Sequence, residues 1–551
     1  MSTKSDEIPL PVNSLVSPLL TDLYQITMAY AYWKSGRHKS NAIFELFFRE
    51  NPFGGEYTIF CGIDEVLKHL ENFKFSKSDL DYLKTTPALQ HCDSAFFDDY
   101  LKNLDCSEVS IHSLKQGSIA FPRVPLLIIS GPLGITQLLE TTLLNLVNYP
   151  SLIATNAARM VVAATAQFKE NGKRLVEFGL RRAQGPDGAF SASKYSFLGG
   201  FDATSNVQAG KILGIPIAGT HAHAFVQSHS SLNDVKDLLL VKNGSHESVN
   251  LLEIVMQYRN KLGKEWNSTN DGELAAFISY ATSFPNSFLC LIDTYDTLRS
   301  GLRNFIMVAL ALDDCGYVAK GIRLDSGDLC YFSLECAKLF KEMANLHCRP
   351  FLDKMDVVAS NDINESVLHS LNKQGHAVTV FGIGTNLVTC QAQPALGCVY
   401  KLVELDGKPR MKLSQDLHKV LIPGQKIAYR LYGQAGWPLL DLMVVSRDDE
   451  EPQVGKRIMC RHPFIERKRV AVIPSRVEKL HRLVFDKGNG VVVDISELSD
   501  ERQYVRSQIQ SLRPDILRPM NPGQYKVSIS EKLFDFLHDI WQHEAPVLEI
   551  S

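Results

Sequence analysis

Between residues 174 and 400 the chain repeats one pattern: an apolar run of strand length, a short polar motif, then a stretch with helical spacing. The strand-like runs are Arg174–Phe178, Ile215–Ala218, Phe288–Ile292, Tyr317–Leu324, Met355–Ala359 and Ala377–Phe381. Helical stretches such as Leu251–Leu262 and Tyr331–Asn345 lie between them. Because each return between strands passes through a helix, neighbouring strands must run parallel, which restricts the fold to an α/β barrel or an open α/β sheet. Six runs are visible, not eight, so the expectation is an irregular barrel.

The polar motifs all follow directly on such runs. They are Gly-Thr-His-Ala-His at 219–223, Asp-Thr-Tyr-Asp at 293–296, Arg-Leu-Asp-Ser-Gly-Asp at 323–328, Ser-Asn-Asp at 360–362 and Gly-Ile-Gly-Thr at 382–385. Loops from the strand ends of a barrel converge on one mouth. A mouth furnished with carboxylates, histidines and glycines suits an enzyme of anionic substrates.

Each motif has a chemical reading and a plainer one. Gly384 and Thr385 sit where backbone N–H groups can approach a phosphate, or where a tight turn needs glycine for its geometry. In the next motif, strand alternation puts Arg323 and Asp325 on one face. Asp325 and Asp328 suit sugar hydroxyls or a hard cation such as Mg²⁺; alternatively, Asp328 simply caps the helix that follows. His221 and His223, two apart on a strand, would point the same way. No cysteine or H-E-x-x-H helix accompanies them, so acid–base or nucleophilic work fits better than zinc, against a hydrogen-bonded pair at the rim. Phe178 followed by Arg181 and Arg182 suits a flat anionic ring, or is a buried ring beside solvated arginines. Residues 199–206 read as a loop into a capped helix, with Asp202 available to a site. The triplet Arg467-Lys468-Arg469 reads as a surface face.

Bulk properties exclude several classes. At 551 residues the chain exceeds one ordinary core. A net charge of −3 gives no general case for nucleic-acid binding. The most apolar stretch, 125–147, is interrupted by Gly131, Pro132, Gln137 and Glu140, so no membrane span is expected. Eleven cysteines without C-x-x-C pairs fit reduced thiols and a cytosolic protein. The expected zones are a flexible tail (1–17), a mixed α/β part (18–150), the alternating barrel (151–400) and a C-terminal region (401–551). Within them, a helix opening near Leu19 has Thr21 or Asp22 as its N-cap. Two helices are expected at Gln137–Val147 and Ser151–Lys169, with Pro150 between them. The run Arg447–Pro452 reads as a solvated loop, and helices over Ser496–Gln510 and Glu531–His543 close the chain.

Taken together, the motifs resemble those of nicotinate phosphoribosyltransferases. The resemblance rests on Leu20-Thr-Asp-Leu-Tyr-Gln25, Thr155-Asn-Ala-Ala-Arg159, Gly179-Leu-Arg-Arg-Ala-Gln-Gly-Pro186, Gly199-Gly-Phe-Asp202, the His223 motif, Arg323–Asp328, Gly382–Thr385 and Pro423-Gly-Gln-Lys426. It implies the type II phosphoribosyltransferase fold: an irregular (β/α) barrel, an α/β sandwich domain completed from both sides of the barrel in sequence, and a C-terminal extension. It also implies a homodimer with shared sites, and transfer of phosphoribosyl from phosphoribosyl diphosphate (PRPP) to nicotinate. ATP hydrolysis would be coupled through a phosphohistidine, and Mg²⁺ or Mn²⁺ would assist. By position, His223 would carry the phosphoryl group. Tyr24, from the partner subunit, and Phe178 would sandwich the pyridine ring, while Thr220, Arg323, Arg181 and Asp202 would line its pocket. Asp325 would meet the ribose and the metal-bound diphosphate, Asp328 would support that turn, and Gly384 and Thr385 would hold the 5′-phosphate. A nicotinamide-using enzyme and a non-catalytic metabolite-binding homologue are the alternatives.

Overall fold

The computed structural model describes residue 13 and residues 15–165, 172–236, 238–413, 419–446 and 449–544. Most of the tail expected over 1–17 lies outside these residues. So do 166–169 of the second expected helix and 447–448 of the expected loop. The chain forms two compact units. The first comprises the chain up to Arg159, Leu198–Gly200 and everything from Cys390 onward; the second comprises Met160–Phe197 and Phe201–Thr389.

The second unit is built on a parallel sheet. Its strands are β1 (Arg174–Glu177), β2 (Ala203–Thr204), β3 (Leu289–Leu291), β4 (Gly321–Leu324), β5 (Asp356–Ser360) and β6 (Val380–Ile383). They lie in the order β3-β4-β5-β6-β1-β2, and every neighbouring pair is parallel. In β4, Ile322 and Leu324 are completely buried while Arg323 between them faces the other way and is half-buried, the alternation a two-sided strand requires. Helices follow the strands. After β4, Leu329–His347 starts at Asp328, whose carboxylate accepts the Tyr331 N–H, and stops where Cys348 turns left-handed. After β5, Glu365–Gln374 is capped by Asn364 and ends at Gly375.

Three expectations change here. The run Ile215–Ala218 is not a strand. Only Ile217 bridges, to Thr204, and Pro216 has no N–H to extend the ladder. Instead Ala203–Thr204 pairs with β1, a strand too short for its period to show in sequence. The strand expected from Tyr317 begins only at Gly321.

The first unit holds two larger sheets. One is seven-stranded and antiparallel, with Asn41–Phe48 paired between Leu127–Pro132 and Cys398–Leu405. The other, six-stranded, is assembled from residues 426–529 around Pro438–Val445. Two buried ion pairs tie the unit together: Lys426 Nζ to Glu45 at 2.9 Å, and Arg430 to both oxygens of Asp441. Lys426 also donates to the carbonyls of Ile422 and Gly424, so the Pro-Gly-Gln-Lys block is a folded turn locked by its own lysine.

The helix pair expected around Pro150 is one short helix, Leu133–Leu138, followed by a continuous helix, Glu140–Thr165, that runs through the proline. Pro150 lacks an N–H for the Leu146 carbonyl. Gly62 (φ +102°) packs against that carbonyl so closely that a Cβ there would lie 2.0 Å from its oxygen. The helix beginning at Leu23 has Asp22 at its N-cap position, but the Asp22 carboxylate accepts the Thr141 hydroxyl rather than a backbone N–H. Among the described residues no helix is long and apolar enough to cross a membrane.

Candidate active site

Three strand ends of the second unit and the loop carrying Thr220 meet at Arg323. Its Nε donates to the Ser360 hydroxyl at the end of β5 (2.9 Å), its Nη1 to the Thr220 hydroxyl (3.1 Å), and its Nη2 to Asp325 Oδ1 (2.9 Å). The guanidinium also lies over the Phe178 ring, 5.4 Å from its centroid, just past the end of β1. A half-buried cation held in three directions by neutral and anionic oxygens is fixed in place.

Asp325 lies beside it. Burial pushes its carboxyl pKa up, but the Ser360 hydroxyl, Arg323 and His223 together outweigh burial and hold it below the usual carboxylate range. The turn that presents Asp325 is tied back to β3: Asp293 Oδ2 accepts the Asp325 N–H at 2.8 Å and the Ser326 hydroxyl at 2.6 Å. Among the described residues, the other Asp293 oxygen is buried without a hydrogen-bond donor. His223 stands across from Asp325, its Nε2 3.7 Å from Asp325 Oδ2 and its Nδ1 3.1 Å from the Thr294 hydroxyl. Its side chain is 38% exposed, open enough for a reagent to reach the ring.

The two histidines of the 219–223 motif diverge rather than sharing a strand face. His223 begins a short helix, His223–Gln227, whereas His221 packs edge-on against Tyr280, its two ring nitrogens buried without hydrogen-bond partners among the described residues. Burial pushes the His221 pKa down to about 4, so it is neutral at physiological pH.

The Gly-Ile-Gly-Thr turn has a steric explanation. A Cβ on Gly382 would sit 2.4 Å from the Phe178 ring, and one on Gly384 2.9 Å from the Phe178 carbonyl oxygen. Both glycines let the end of β6 close against the turn after β1. Thr385 opens the brief helix that follows. That same turn is locked from behind by Glu177, almost fully buried, which accepts from the Gly179 N–H, the Ser193 hydroxyl and the Thr204 hydroxyl.

The remaining expected residues fall as follows. Arg181 is exposed on a 3₁₀ turn and makes no side-chain bond among the described residues. One oxygen of Asp202 accepts the Leu175 N–H at 2.9 Å, stitching the chain entering β2 to β1. Asp328 is the helix cap already described. Tyr24 belongs to the first unit, 47% exposed on the helix Leu23–Lys34. Asp293, Thr294, Ser360 and Glu177 received no role from sequence, although three of them lie in motifs marked by their strand-end position.

The donor set fits a hard divalent cation carried with a diphosphate. Asp325 and the unpartnered Asp293 oxygen offer carboxylate oxygens, and Mg²⁺ binds through one or two carboxylates plus substrate phosphates. Among the described residues no group of three His, Cys, Asp or Glu side chains forms a cage by itself.

Residues 19–148 match the family model of the nicotinate phosphoribosyltransferase N-terminal domain, 173–435 that of the nicotinate phosphoribosyltransferase family, and 425–537 that of its C-terminal domain. Nicotinate phosphoribosyltransferase of Dictyostelium discoideum is 51% identical over 547 residues, covering 98% of this chain and 91% of that protein. The chain belongs to the nicotinate phosphoribosyltransferase family. Another family member, nicotinate phosphoribosyltransferase 1 of Arabidopsis thaliana, is 52% identical over 98% of this chain and 96% of its own length. The crystal structure of human nicotinic acid phosphoribosyltransferase superimposes with a TM-score of 0.84 at 42% identity, covering 94% of this chain and 99% of that one. The architecture is therefore the type II phosphoribosyltransferase fold, and the parallel sheet with the Arg323 cluster is its irregular barrel.

Proposed function

We propose that this enzyme transfers the phosphoribosyl group of PRPP to nicotinate, giving nicotinate mononucleotide and diphosphate for NAD synthesis, with ATP hydrolysis coupled through phosphorylation of His223. The observation that carries the reading is the Arg323 cluster: a fixed guanidinium against an aromatic ring, with an anionic carboxylate and an open imidazole beside it. Arg323 and Thr220 pair with the nicotinate carboxylate, which is why the acid rather than the amide is the substrate. The pyridine ring rests on Phe178, and Tyr24 of a partner subunit closes the other face in a homodimer. Arg181 and Asp202 border the same pocket.

In the transfer step the ribose C1–O bond breaks with its electron pair leaving on diphosphate, and the pyridine nitrogen lone pair forms the new C1–N bond. The ring nitrogen is a free base at neutral pH, so no side chain must remove a proton. The task is alignment. Asp325, kept anionic, stabilises the positive charge that develops on the ribose. Asp325 and Asp293 would hold Mg²⁺ or Mn²⁺, which when bound neutralises the departing diphosphate. Asp328 fixes the turn, and Gly384 and Thr385 receive the 5′-phosphate. In the coupled step a ring nitrogen of His223 takes the terminal phosphoryl group of ATP as ADP leaves, and water then breaks the N–P bond, releasing phosphate and the free imidazole; Thr294 orients the ring.

His223→Ala tests this. It should abolish the ATP stimulation of nicotinate mononucleotide formation while a slow, ATP-independent transfer persists. Full ATP stimulation in the variant would refute the role of His223. Competition between nicotinate and nicotinamide for labelled PRPP checks the choice of the acid.

A further inference from the structure

The basic triplet 467–469, which the catalytic reading leaves unused, lines a cleft of about 790 Å³ in the first unit. The cleft is formed by the hairpin Ile458–Arg461 and Arg469–Val472, the adjoining strand Lys526–Ile529, and the segment at Pro122–Arg123. The hairpin loop has a defined shape. His462 Nδ1 accepts the N–H groups of Phe464 and Ile465, both at 3.1 Å, and the His462 N–H donates to the Lys468 carbonyl. Because Nδ1 is an acceptor, the neutral ring carries its proton on Nε2. Burial, then Lys468 and Arg123, push the His462 pKa down, so the ring stays neutral at physiological pH.

The charge lining this cleft is one-sided. Arg123, Arg467, Lys468, Arg469 and Lys526 contribute to its walls against a single carboxylate, Glu56. Arg467, Lys468, Arg469 and Lys526 are all exposed, and none makes an ion pair or side-chain hydrogen bond among the described residues. The buried cations of the same unit differ: Arg430 and Lys426 each have a carboxylate partner. The remaining wall is mostly apolar and aromatic, with His462, Gln524 and Ser528 as its polar members. Tyr525 is stacked on Phe121 (centroids 3.5 Å apart) with its hydroxyl donating to Asp441, and the Phe464 ring lies under the Arg123 guanidinium at 4.7 Å. Arg123 itself holds a left-handed backbone (φ +71°), an uncommon state for a residue with a side chain.

A bare diphosphate would leave most of this volume empty, and an apolar ligand would leave the cations without a partner. Pockets of roughly 300–1,000 Å³ with apolar walls and a few placed polar groups are those of small organic ligands. We propose that the cleft binds a nucleotide, its phosphates on Arg467–Arg469 and Lys526 and its base against the Tyr525 and Phe464 side. The site is made wholly of first-unit residues, so it stands apart from the Arg323 cluster in composition and does not depend on the catalytic roles above.

Hydrogen exchange on the full-length protein, with ATP as the probe and inorganic triphosphate and adenosine as separate arms, tests the proposal. ATP should slow exchange across 460–470 and 524–529. The combined variant Arg467→Ala, Lys468→Ala, Arg469→Ala should lose that protection, with ATP affinity at this site at least tenfold weaker and kcat at saturating substrates unchanged. Absence of protection there in the wild-type protein, or protection that survives the triple substitution, would overturn the site. Triphosphate protecting as well as ATP would overturn the nucleotide in favour of a plain polyphosphate. Protection at 219–224 and 323–328 reports separately on the catalytic reading.

Discussion

The Arg323 guanidinium engages Ser360, Thr220 and Asp325, which come from three different places in the sequence, and stacks on a fourth, Phe178. Such a group is fixed before any substrate arrives, so its loss removes both charge and orientation. Arg323→Ala should lower kcat/KM for nicotinate by at least about a hundredfold, the scale of losing one well-placed electrostatic donor. Arg323→Lys should recover little of it, because an ammonium cannot address three directions from one plane. Steady-state kinetics check both; wild-type values in Arg323→Ala would remove this residue from the site. At the same scale Gly382 and Gly384 have an explanation independent of any ligand, since the Phe178 ring and backbone occupy the space a side chain would need.

Among the elements, the helix Asp271–Ser283 carries an unusual acid. Glu273, three residues past its Asn270 cap, is fully buried and accepts the Ser300 hydroxyl at 2.6 Å and an Asn304 amide N–H at 3.0 Å, while its other oxygen has no donor among the described residues. Burial raises its pKa from 4.5 to about 7, against those hydrogen bonds and with added repulsion from Asp293 and Asp296. The folded protein therefore holds this proton more tightly than the unfolded chain. The resulting stabilisation is complete below about pH 4.5 and disappears as pH rises through about 7. Glu273→Gln cannot ionise. Relative to wild type its thermal midpoint should climb between pH 5 and 8, by the equivalent of on the order of 3 kcal/mol. Parallel midpoint curves for the two proteins would show that Glu273 does not titrate in this way.

Helix boundaries show where local sequence rules stop. The pattern at Leu251–Leu262 matches the observed helix residue for residue, because an Asn250 cap and a Gly263 stop frame it locally. Pro150 misleads, because the helix runs on through it while distant Gly62 packs closely against the Leu146 carbonyl that the proline leaves without its N–H. The His221 and His223 pair misleads for a related reason. Alternation requires a strand, and Pro216 leaves only an isolated bridge at Ile217.

For the molecule as a whole, the proposed homodimer makes a distinctive prediction. Tyr24 belongs to the first unit and Arg323 to the second, and the reading assigns them to the same site from different subunits. Tyr24→Ala and Arg323→Ala proteins, each impaired alone, should regain about one quarter of wild-type activity when mixed and allowed to exchange subunits, because half the dimers then carry one intact site. Mixing without recovery, in a preparation shown to exchange, would mean that both residues come from one chain.

The repeating strand–motif–helix grammar and its strand-end polar clusters were written in the sequence, since period and turn chemistry are local properties. From them followed the parallel barrel and, through their order, the family. Which of those residues touch was decided only by tertiary structure. Contacts such as Arg323 with Thr220, or Asp293 with Ser326, depend on strand register and on how loops from distant segments close over the sheet ends. Glu177 and Ser360 acquire their roles the same way. A buried carboxylate and a small hydroxyl carry no signal of their own until neighbouring strands bring them a turn to lock and a guanidinium to hold.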